Sequence, residues 1–245
     1  MDTVFRSDAF AGRTVLVTGG TSGIGRAIAG AFAALGAAVT AAGRLPPDVG
    51  NEEPGPHAGV TVVEVDVTSG EAVGELVDGH ASLDVLVNCA GVIRRREEYA
   101  MDVFEQVVDV NLYGTMRCCS AARGKLAVAQ GCVVNVASML SSFGSAHAPA
   151  YGASKAAVAQ LTKSLAVAWA PQVRVNAVAP GWVRTPLSAP AERDPETNRR
   201  IIERTPFGRW AVPGEVCGAV LFLASAAAAF VTGAVVPVDG GYSVS

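Results

Sequence analysis

The chain has 245 residues, of which 50% are hydrophobic and 17% charged, and its formal net charge is −3. This length supports one large core or two small domains, and the hydrophobic content argues against a disordered chain. Phosphate binding needs clustered lysine and arginine, so the net charge and the short arginine triplet 94–96 argue against a nucleic-acid partner.

Five cysteines are present, and neither their odd number nor their spacing indicates a disulfide framework or a metal site. We therefore expect a reduced, cytoplasmic compartment and no bound metal. The stretch 219–238 carries no charge and is long enough to span a bilayer. Its alanine run and the break at Thr232–Gly233 instead favour a buried helix, a turn and an interior strand, so no membrane partner is expected.

Seven short runs rich in β-branched residues alternate with longer stretches of helical periodicity. Apolar strands separated by helices predict an α/β fold: a doubly wound parallel sheet with helices on both faces. No linker divides the chain, which predicts one domain over residues 1–245. The strand candidates are 14–18, 38–42, 60–65, 83–88, 132–137, 173–178 and 234–238.

Helical periodicity is clearest between Ile24 and Leu35, where apolar residues recur at the i, i+3, i+4 spacing and Gly36 ends the pattern. By contrast, Arg44–Gly59 is rich in proline and glycine and is predicted to be a surface loop, at a place where many such folds have a second helix. The other helix candidates are 101–127, 151–169 and 214–225.

The first predicted strand runs directly into the glycine-rich loop TGGTSGIG, Thr18 to Gly25, and then into a helix. Glycine at 19, 23 and 25 allows a tight turn and a close approach to a pyrophosphate, while the helix N-terminus offers free N–H groups to its oxygens. This context predicts a dinucleotide site. A glycine turn without a ligand is the alternative.

The end of the second strand would face the adenosine ribose, where an acidic residue accepts both hydroxyls and repels a 2′-phosphate. Here Gly43 and Arg44 occupy that place, which modestly favours NADP(H) over NAD(H). Arg44 could equally be an exposed side chain without a ligand. Asp66, after the third strand, could bind the adenine amino group or simply cap the turn that follows.

Tyr151 and Lys155 lie four residues apart in an alanine-rich segment, so on a helix they would share one face. A phenol with a pKa of about 10 is a poor base at neutral pH unless a neighbour stabilises the phenolate. A cation at roughly 4 Å could lower that pKa by two to three, which predicts an acid/base pair. A half-buried tyrosine beside a surface lysine is the alternative.

These motifs, together with Asn88-Cys89-Ala90-Gly91, Asn111, Ser138 and the stretch PGWVRT from Pro180 to Thr185, make the chain resemble the short-chain dehydrogenases/reductases. The resemblance implies a single-domain Rossmann-type fold, a homotetramer or homodimer, and a catalytic set of Asn111, Ser138, Tyr151 and Lys155. The residues expected to contact the cofactor are Gly19, Thr21, Ser22, Gly23, Ile24, Gly25, Arg44, Asp66, Val67, Asn88, Ala90, Gly91, Tyr151, Lys155, Pro180, Gly181, Val183 and Thr185.

In that reading, Tyr151 exchanges a proton with the substrate oxygen while hydride moves between substrate carbon and nicotinamide. The resemblance implies that Ser138 hydrogen-bonds this oxygen and that Asn111 holds a water linked to Lys155. Cys89 departs from the family pattern, which has a second asparagine there, and little loss is expected because the main chain makes the contact. The segment 186–210 mixes charge and proline and is predicted to be a substrate lid.

The substrate is less closely defined by the sequence. The stretches 91–95, 137–141 and 201–210 resemble most the 2-deoxy-gluconate 3-dehydrogenases and gluconate 5-dehydrogenases, and arginines near the pocket could pair with a sugar-acid carboxylate. A 3-oxoacyl-acyl-carrier-protein reductase shares every catalytic motif and is the competing enzyme. A catalytically silent nucleotide-binding scaffold is the alternative of another class.

Overall fold

The computed structural model describes residues 4–45 and 59–245, which form one sheet of seven parallel strands. The strand order is β3-β2-β1-β4-β5-β6-β7. The seven-stranded, doubly wound sheet predicted from the sequence is therefore confirmed. The strands are β1 Thr14–Thr18, β2 Ala38–Gly43, β3 Val60–Glu64, β4 Val85–Asn88, β5 Cys132–Val136, β6 Arg174–Pro180 and β7 Val235–Val238.

Helices cover both faces of the sheet because each buries apolar side chains against it; α1 and α2 do so with one apolar stripe, while α8 is apolar on most of its surface. One face packs against α1 and α8, and the other against α2, α4 and α5. The helices are α1 Gly23–Ala34, α2 Gly70–Asp78, α3 Met101–Val108, α4 Gly114–Ala129, α5 Pro149–Trp169, α6 Ala189–Arg193, α7 Pro195–Arg204 and α8 Gly214–Ala224.

Two stretches differ in detail from the sequence prediction, and a third lies mostly outside the described residues. The predicted helix 101–127 is interrupted by a π-helical turn, Asp109–Tyr113. Helix α2 was not predicted; Ser69 caps it by accepting a hydrogen bond from the amide of Ala72 at 3.2 Å. Most of the predicted surface loop, residues 46–58, lies outside the described residues.

The uncharged stretch 219–238 forms the predicted helix, turn and strand: the end of α8, a 3₁₀ turn at Ala226–Ala228 and β7. The strand is not interior as predicted, because among the described strands β7 pairs only with β6 at the edge of the sheet. Among the helices of residues 4–45 and 59–245, none is both long enough and apolar enough to cross a bilayer. All five cysteines are free thiols, and the described residues contain no cluster of acidic, histidine or cysteine side chains suited to a metal ion.

The sheet changes winding direction between β1 and β4, which pair in parallel with Thr18 opposite Asn88. In open α/β sheets, the crevice at such a switch point, beyond the carboxyl ends of the strands, is the usual ligand site. The fold therefore brings the glycine loop after β1 and the small residues after β4 to the same edge.

Candidate active site

In the glycine loop after β1, glycines lie too close to other main-chain atoms to carry a side chain. A Cβ at Gly19, whose φ is +65°, would lie 2.6 Å from the amide nitrogen of Ala90. A Cβ at Gly25 would lie 2.1 Å from the carbonyl oxygen of Gly19. The loop thus keeps the N-terminus of α1 open at the switch point, where it offers N–H groups to an anion.

A cleft runs from this loop along the carboxyl edge of the sheet to α5. Nine of the residues predicted to contact a cofactor line it: Gly19, Ser22, Gly23, Ile24, Gly25, Gly91, Tyr151, Lys155 and Thr185. Four further lining residues were not assigned this role from the sequence: Cys89, Val136, Pro186 and Leu187. The glycine-walled cleft, open at a helix N-terminus and closed by a lysine and a tyrosine, fits a nicotinamide dinucleotide.

At the predicted adenosine end, Arg44 is exposed and its carbonyl oxygen accepts a hydrogen bond from Thr21 Oγ1 at 3.1 Å. Asp66 Oδ1 accepts from the amide and hydroxyl of Thr68 at 2.9 and 2.8 Å. These bonds hold the pKa of Asp66 below its ordinary value, against the effect of burial and with smaller help from Arg44 and Arg117. Asp66 therefore caps a turn, whatever else it binds.

Two other predicted cofactor residues use their side chains within the core. Asn88 Nδ2 donates to Asn135 Oδ1 at 2.9 Å and to Cys119 Sγ at 3.2 Å. Val67 packs against α4, where a Cβ at Gly114 would lie 2.7 Å from Val67 Cγ2. The side-chain amide nitrogen of Asn88 is thus engaged within the core, while its Oδ1 is buried without a hydrogen-bond partner among the described residues. The predicted residues Pro180, Gly181 and Val183 line a second pocket beside the cleft.

Helix α5 carries Tyr151 and Lys155 one turn apart, as their spacing predicted, and both line the cleft. Lys155 is 3% exposed, and its Nζ lies 5.8 Å from the ring centroid of Tyr151. Lys155 Nζ donates to the carbonyl oxygen of Val136 at 2.7 Å. Ser138, which follows β5, is hydrogen-bonded to the Tyr151 hydroxyl. Lys155 and Ser138 therefore both lie beside Tyr151, and the end of β5 holds Lys155 in place.

Burial governs the protonation of this pair. It raises the pKa of Tyr151, and the hydrogen bond from Ser138 and the charge of Arg95 lower it only in part. Burial also lowers the pKa of Lys155 from 10.5 to about 8. The loss of hydration around a phenolate thus outweighs the favourable charges, and the lowering of the phenol pKa by Lys155 stays a prediction.

Asn111 lies in the π-helical turn between α3 and α4 and is fully buried. Its Oδ1 accepts from the amide of Val92 at 2.8 Å, and its Nδ2 donates to the carbonyl oxygen of Val92 at 3.0 Å and to Ser154 Oγ at 3.0 Å. A Cβ at Gly91 would lie 3.3 Å from Asn111 Oδ1 and 3.4 Å from Lys155 Nζ. Glycine at 91 therefore leaves both polar groups facing the same small space.

The second pocket opens beside the phenol and shares Tyr151 with the cleft. Ser138, Arg95, Trp182 and Leu187 lie in its wall. The Arg95 guanidinium lies 5.7 Å from the Trp182 ring centroid, and its Nη1 donates to the carbonyl oxygen of Leu187 at 3.1 Å. The pocket thus has one cation and the hydroxyls of Ser138 and Tyr151 in its wall.

Several pocket residues carried no signal in the sequence. Trp182 and Ile93 reach the pocket only because β4 and β6 end at the same edge of the sheet. The Nε1 of Trp182 is buried and has no hydrogen-bond partner within the described ranges. Arg95 could be expected near the pocket as one of three arginines, but only the fold separates it from the exposed Arg94 and Arg96.

Comparison with known proteins agrees with this geometry. Residues 19–243 match the family model described as "Enoyl-(Acyl carrier protein) reductase". The chain is 41% identical over 254 residues to cis-4-hydroxycyclohexanecarboxylate dehydrogenase of Sinomonas cyclohexanicum, covering 96% of this chain and 98% of that protein. It is also 41% identical over 254 residues to an L-tagatose-forming galactitol 2-dehydrogenase of Cereibacter sphaeroides, covering 99% and 98%.

A solved relative extends the likeness to three dimensions. A gluconate 5-dehydrogenase from Burkholderia cenocepacia J2315, crystallised in complex with NADP and tartrate, superposes with a TM-score of 0.87 at 30% identity, covering 98% of each chain. With the strand order, the glycine loop and the Ser138, Tyr151 and Lys155 geometry, these matches show that the chain belongs to the short-chain dehydrogenase/reductase family.

Proposed function

We propose that this oxidoreductase interconverts a secondary alcohol and a ketone on a small polar substrate that carries a carboxylate, using NADP(H). The observation that carries the proposal is the pair of adjoining pockets that share Tyr151: one fits the dinucleotide, and the other is lined by both Arg95 and Ser138. A sugar acid, or a related small hydroxy or keto acid, matches that arrangement of one cation and two hydroxyls.

The nicotinamide cofactor would supply or accept the hydride. Tyr151 gives the substrate oxygen its proton during ketone reduction and takes it back during alcohol oxidation. Since burial raises the pKa of Tyr151, the phenol is protonated at neutral pH and is ready to donate. Ser138, bonded to the same hydroxyl, orients the substrate oxygen toward it.

Lys155 and Asn111 complete the proposed set as groups behind the phenol. With a pKa of about 8, Lys155 can change its protonation state near neutral pH, which suits a group that passes protons. Both Lys155 Nζ and Asn111 Oδ1 border the space left by Gly91. We therefore assign the proton route between Tyr151 and solvent to that space.

The proposed NADP(H) preference has a direct test in Arg44. The exposed guanidinium at the end of β2 can pair with a 2′-phosphate, and no acidic side chain stands at Gly43 to repel it. Arg44→Ala is expected to raise the KM for NADPH by about tenfold, the cost of one exposed charge-assisted bond, and to leave the KM for NADH unchanged. Steady-state kinetics with both cofactors measure this, and equal effects on the two would exclude the preference.

Arg95 should decide between acidic and neutral substrates. Arg95→Gln keeps a planar hydrogen-bonding end but removes the charge, so kcat/KM for a keto sugar acid is expected to fall about 100-fold. For a neutral ketose, kcat/KM should change by no more than about threefold. The matched control is Arg96→Gln, because Arg96 is exposed and does not line the pocket. Similar losses on both substrates would show that Arg95 is structural.

The activity itself is tested by mixing the purified protein with NADPH or NADH and a panel of keto sugar acids, neutral ketoses and an acetoacetyl thioester. Consumption of reduced nicotinamide with the acids supports the proposal. Turnover confined to the thioester would support a 3-oxoacyl-acyl-carrier-protein reductase, which the comparisons do not favour. Firm cofactor binding without turnover on any compound would support the silent scaffold.

Three further expectations complete the proposal. Residues 186–210, which contain α6 and α7, act as a substrate lid, since Leu187 borders both pockets.

The chain forms a homodimer or homotetramer, because Val128 on α4 and Val167 on α5 are 90% and 84% exposed. Sedimentation equilibrium measures the subunit number. The five free cysteines support a reduced, cytoplasmic compartment, which cell fractionation would test.

A further inference from the structure

A carboxylate with no exposed surface lies next to the catalytic helix. Glu98 is 0% exposed, although acidic side chains are rarely buried completely without a partner. It belongs to the segment 94–99, which is part of the connection between β4 and α3 and whose Arg95 lines the second pocket. The mechanism described above does not use this carboxylate, so its burial needs another explanation.

Two main-chain amides satisfy Glu98. Its Oε2 accepts a hydrogen bond from the amide of Tyr151 at 2.8 Å, and its Oε1 accepts one from the amide of Arg94 at 2.8 Å. One carboxylate oxygen therefore holds the start of the helix that carries the proposed proton donor, Tyr151. The other holds the segment that carries Arg95, the cation proposed to bind the substrate carboxylate. Charge-assisted bonds of this kind are about twice as strong as bonds between neutral groups.

The Tyr151 amide is one that a helix normally leaves unpaired. Helix α5 begins at Pro149, so Tyr151 is its third residue and lies among the first four N–H groups without an intrahelical acceptor. The N-cap residue is Ala148, which has no side-chain acceptor to supply. Glu98 provides the missing cap from 53 residues away, with a negative charge placed favourably at the helix N-terminus.

Further bonds fasten the same segment to the approach to α5. The amide of Arg96 donates to the carbonyl oxygen of His147 at 2.7 Å, and the hydroxyl of Tyr99 donates to the carbonyl oxygen of Ala146 at 3.1 Å. Arg96 has a φ of +72°, a conformation that a residue with a side chain adopts only when its surroundings impose it. The segment thus has a defined and partly strained backbone.

From these contacts we propose that Glu98 is a positioning residue: its buried carboxylate fixes the start of the Tyr151 helix and the Arg95 segment at one relative position. This inference rests on the proposed function, because it concerns the distance between Tyr151, the proposed proton donor, and Arg95, the proposed carboxylate-binding residue. We call the two hydrogen bonds of the Glu98 carboxylate the clamp. When the clamp is lost, either segment can shift, and a displacement of about 1 Å in a catalytic site can lower the rate about 100-fold.

Three variants separate geometry from charge. Glu98→Gln keeps the shape but replaces one acceptor oxygen with an NH₂ group, so that one of the two bonds is lost along with the charge. Glu98→Asp keeps the charge but shortens the side chain by one methylene. Glu97→Gln is the matched control, because Glu97 is the exposed neighbour. We expect kcat/KM for a keto sugar acid to fall at least about tenfold in both Glu98 variants and to change less than about twofold in Glu97→Gln.

The pH profile gives a readout that a merely structural role would not move. Besides burial, Ser138 and Arg95 lower the pKa of the Tyr151 phenol, while Cys89 and Glu98 raise it. The amino group of Lys155 also faces this ring, at 5.8 Å from its centroid, and is present in every variant. Removing the negative charge should therefore move the rising limb of the alcohol-oxidation profile to lower pH in Glu98→Gln. In Glu98→Asp the limb should stay at its wild-type position while the rate remains low.

Hydrogen exchange tests the clamp without any turnover. The peptide containing Tyr151 should show slow amide exchange in the wild-type protein and at least about tenfold faster exchange in Glu98→Gln. A peptide from the middle of α5 should exchange alike in both. An unprotected Tyr151 amide in the wild-type protein would overturn the inference, even if neither Glu98 variant folds. So would wild-type kcat/KM together with an unshifted pH profile in Glu98→Gln. Absence of turnover in the wild-type protein would instead defeat the proposed function, and the exchange result would still stand.

Discussion

Replacing Tyr151 with phenylalanine is expected to lower kcat by about 100-fold to 10,000-fold while the Kd for NADPH stays within about twofold. Phenylalanine keeps the ring that packs beside Lys155 and removes only the hydroxyl bonded to Ser138. Positioned acids and bases contribute rate in that range because they act only in the transition state. Stopped-flow measurement of hydride transfer and fluorescence titration of NADPH would give the two numbers.

Tyr113→Phe is a suitable control for this experiment, since Tyr113 is an exposed tyrosine that lines neither the cleft nor the second pocket. Its kcat should change by less than about threefold. If Tyr151→Phe keeps more than a tenth of the wild-type kcat, another group supplies the proton and the assignment of Tyr151 fails.

Lys155→Met should abolish turnover and change the pH dependence of stability. The ammonium of Lys155 is buried, and its pKa falls from 10.5 to about 8 in the folded protein. Between these two pH values the folded state therefore binds fewer protons than the unfolded state. The free energy of unfolding of the wild-type protein thus increases as pH rises from 8 to 10.5. The gain from this group is about 3 kcal/mol.

Methionine cannot titrate, so the variant lacks this gain. The difference in unfolding free energy, Lys155→Met minus wild type, should therefore decrease as pH rises from neutral to 10. Urea unfolding at several pH values measures it, and Lys163→Met, on the exposed side of the same helix, is the control. A difference that does not vary with pH would show that Lys155 has an ordinary pKa in the folded protein.

Strand number, the doubly wound parallel arrangement and the glycine loop could be predicted because they depend largely on local patterns. Apolar runs bounded by glycine identify strands such as β1, and the TGGTSGIG stretch places a phosphate-binding turn directly after it. The pair at 151 and 155 could likewise be placed on one face of a helix, because that face depends only on spacing.

What the sequence could not provide arises from contacts between distant segments. The pKa of Tyr151 depends on how completely the fold removes water from the phenol, and no spacing rule measures that. The sequence does not distinguish Arg95 from its two neighbouring arginines. The fold does so, because the contacts of this segment with the residues before α5 orient it. Glu98 looks like an ordinary charged residue beside Glu97 until its carboxylate meets an amide 53 positions away.

The π-helical turn at Asp109–Tyr113 has a consequence for how this chain tolerates length changes. Such a turn contains one residue more than regular α-helical geometry needs, at a small cost in backbone regularity. Deleting one residue there would let α3 and α4 join as a continuous α-helix. The junction would become more regular, but the Asn111 amide would rotate by roughly 100° away from Val92 and Ser154. A deletion at this point would therefore make the helix more regular but break the hydrogen bonds that position Asn111 near Lys155.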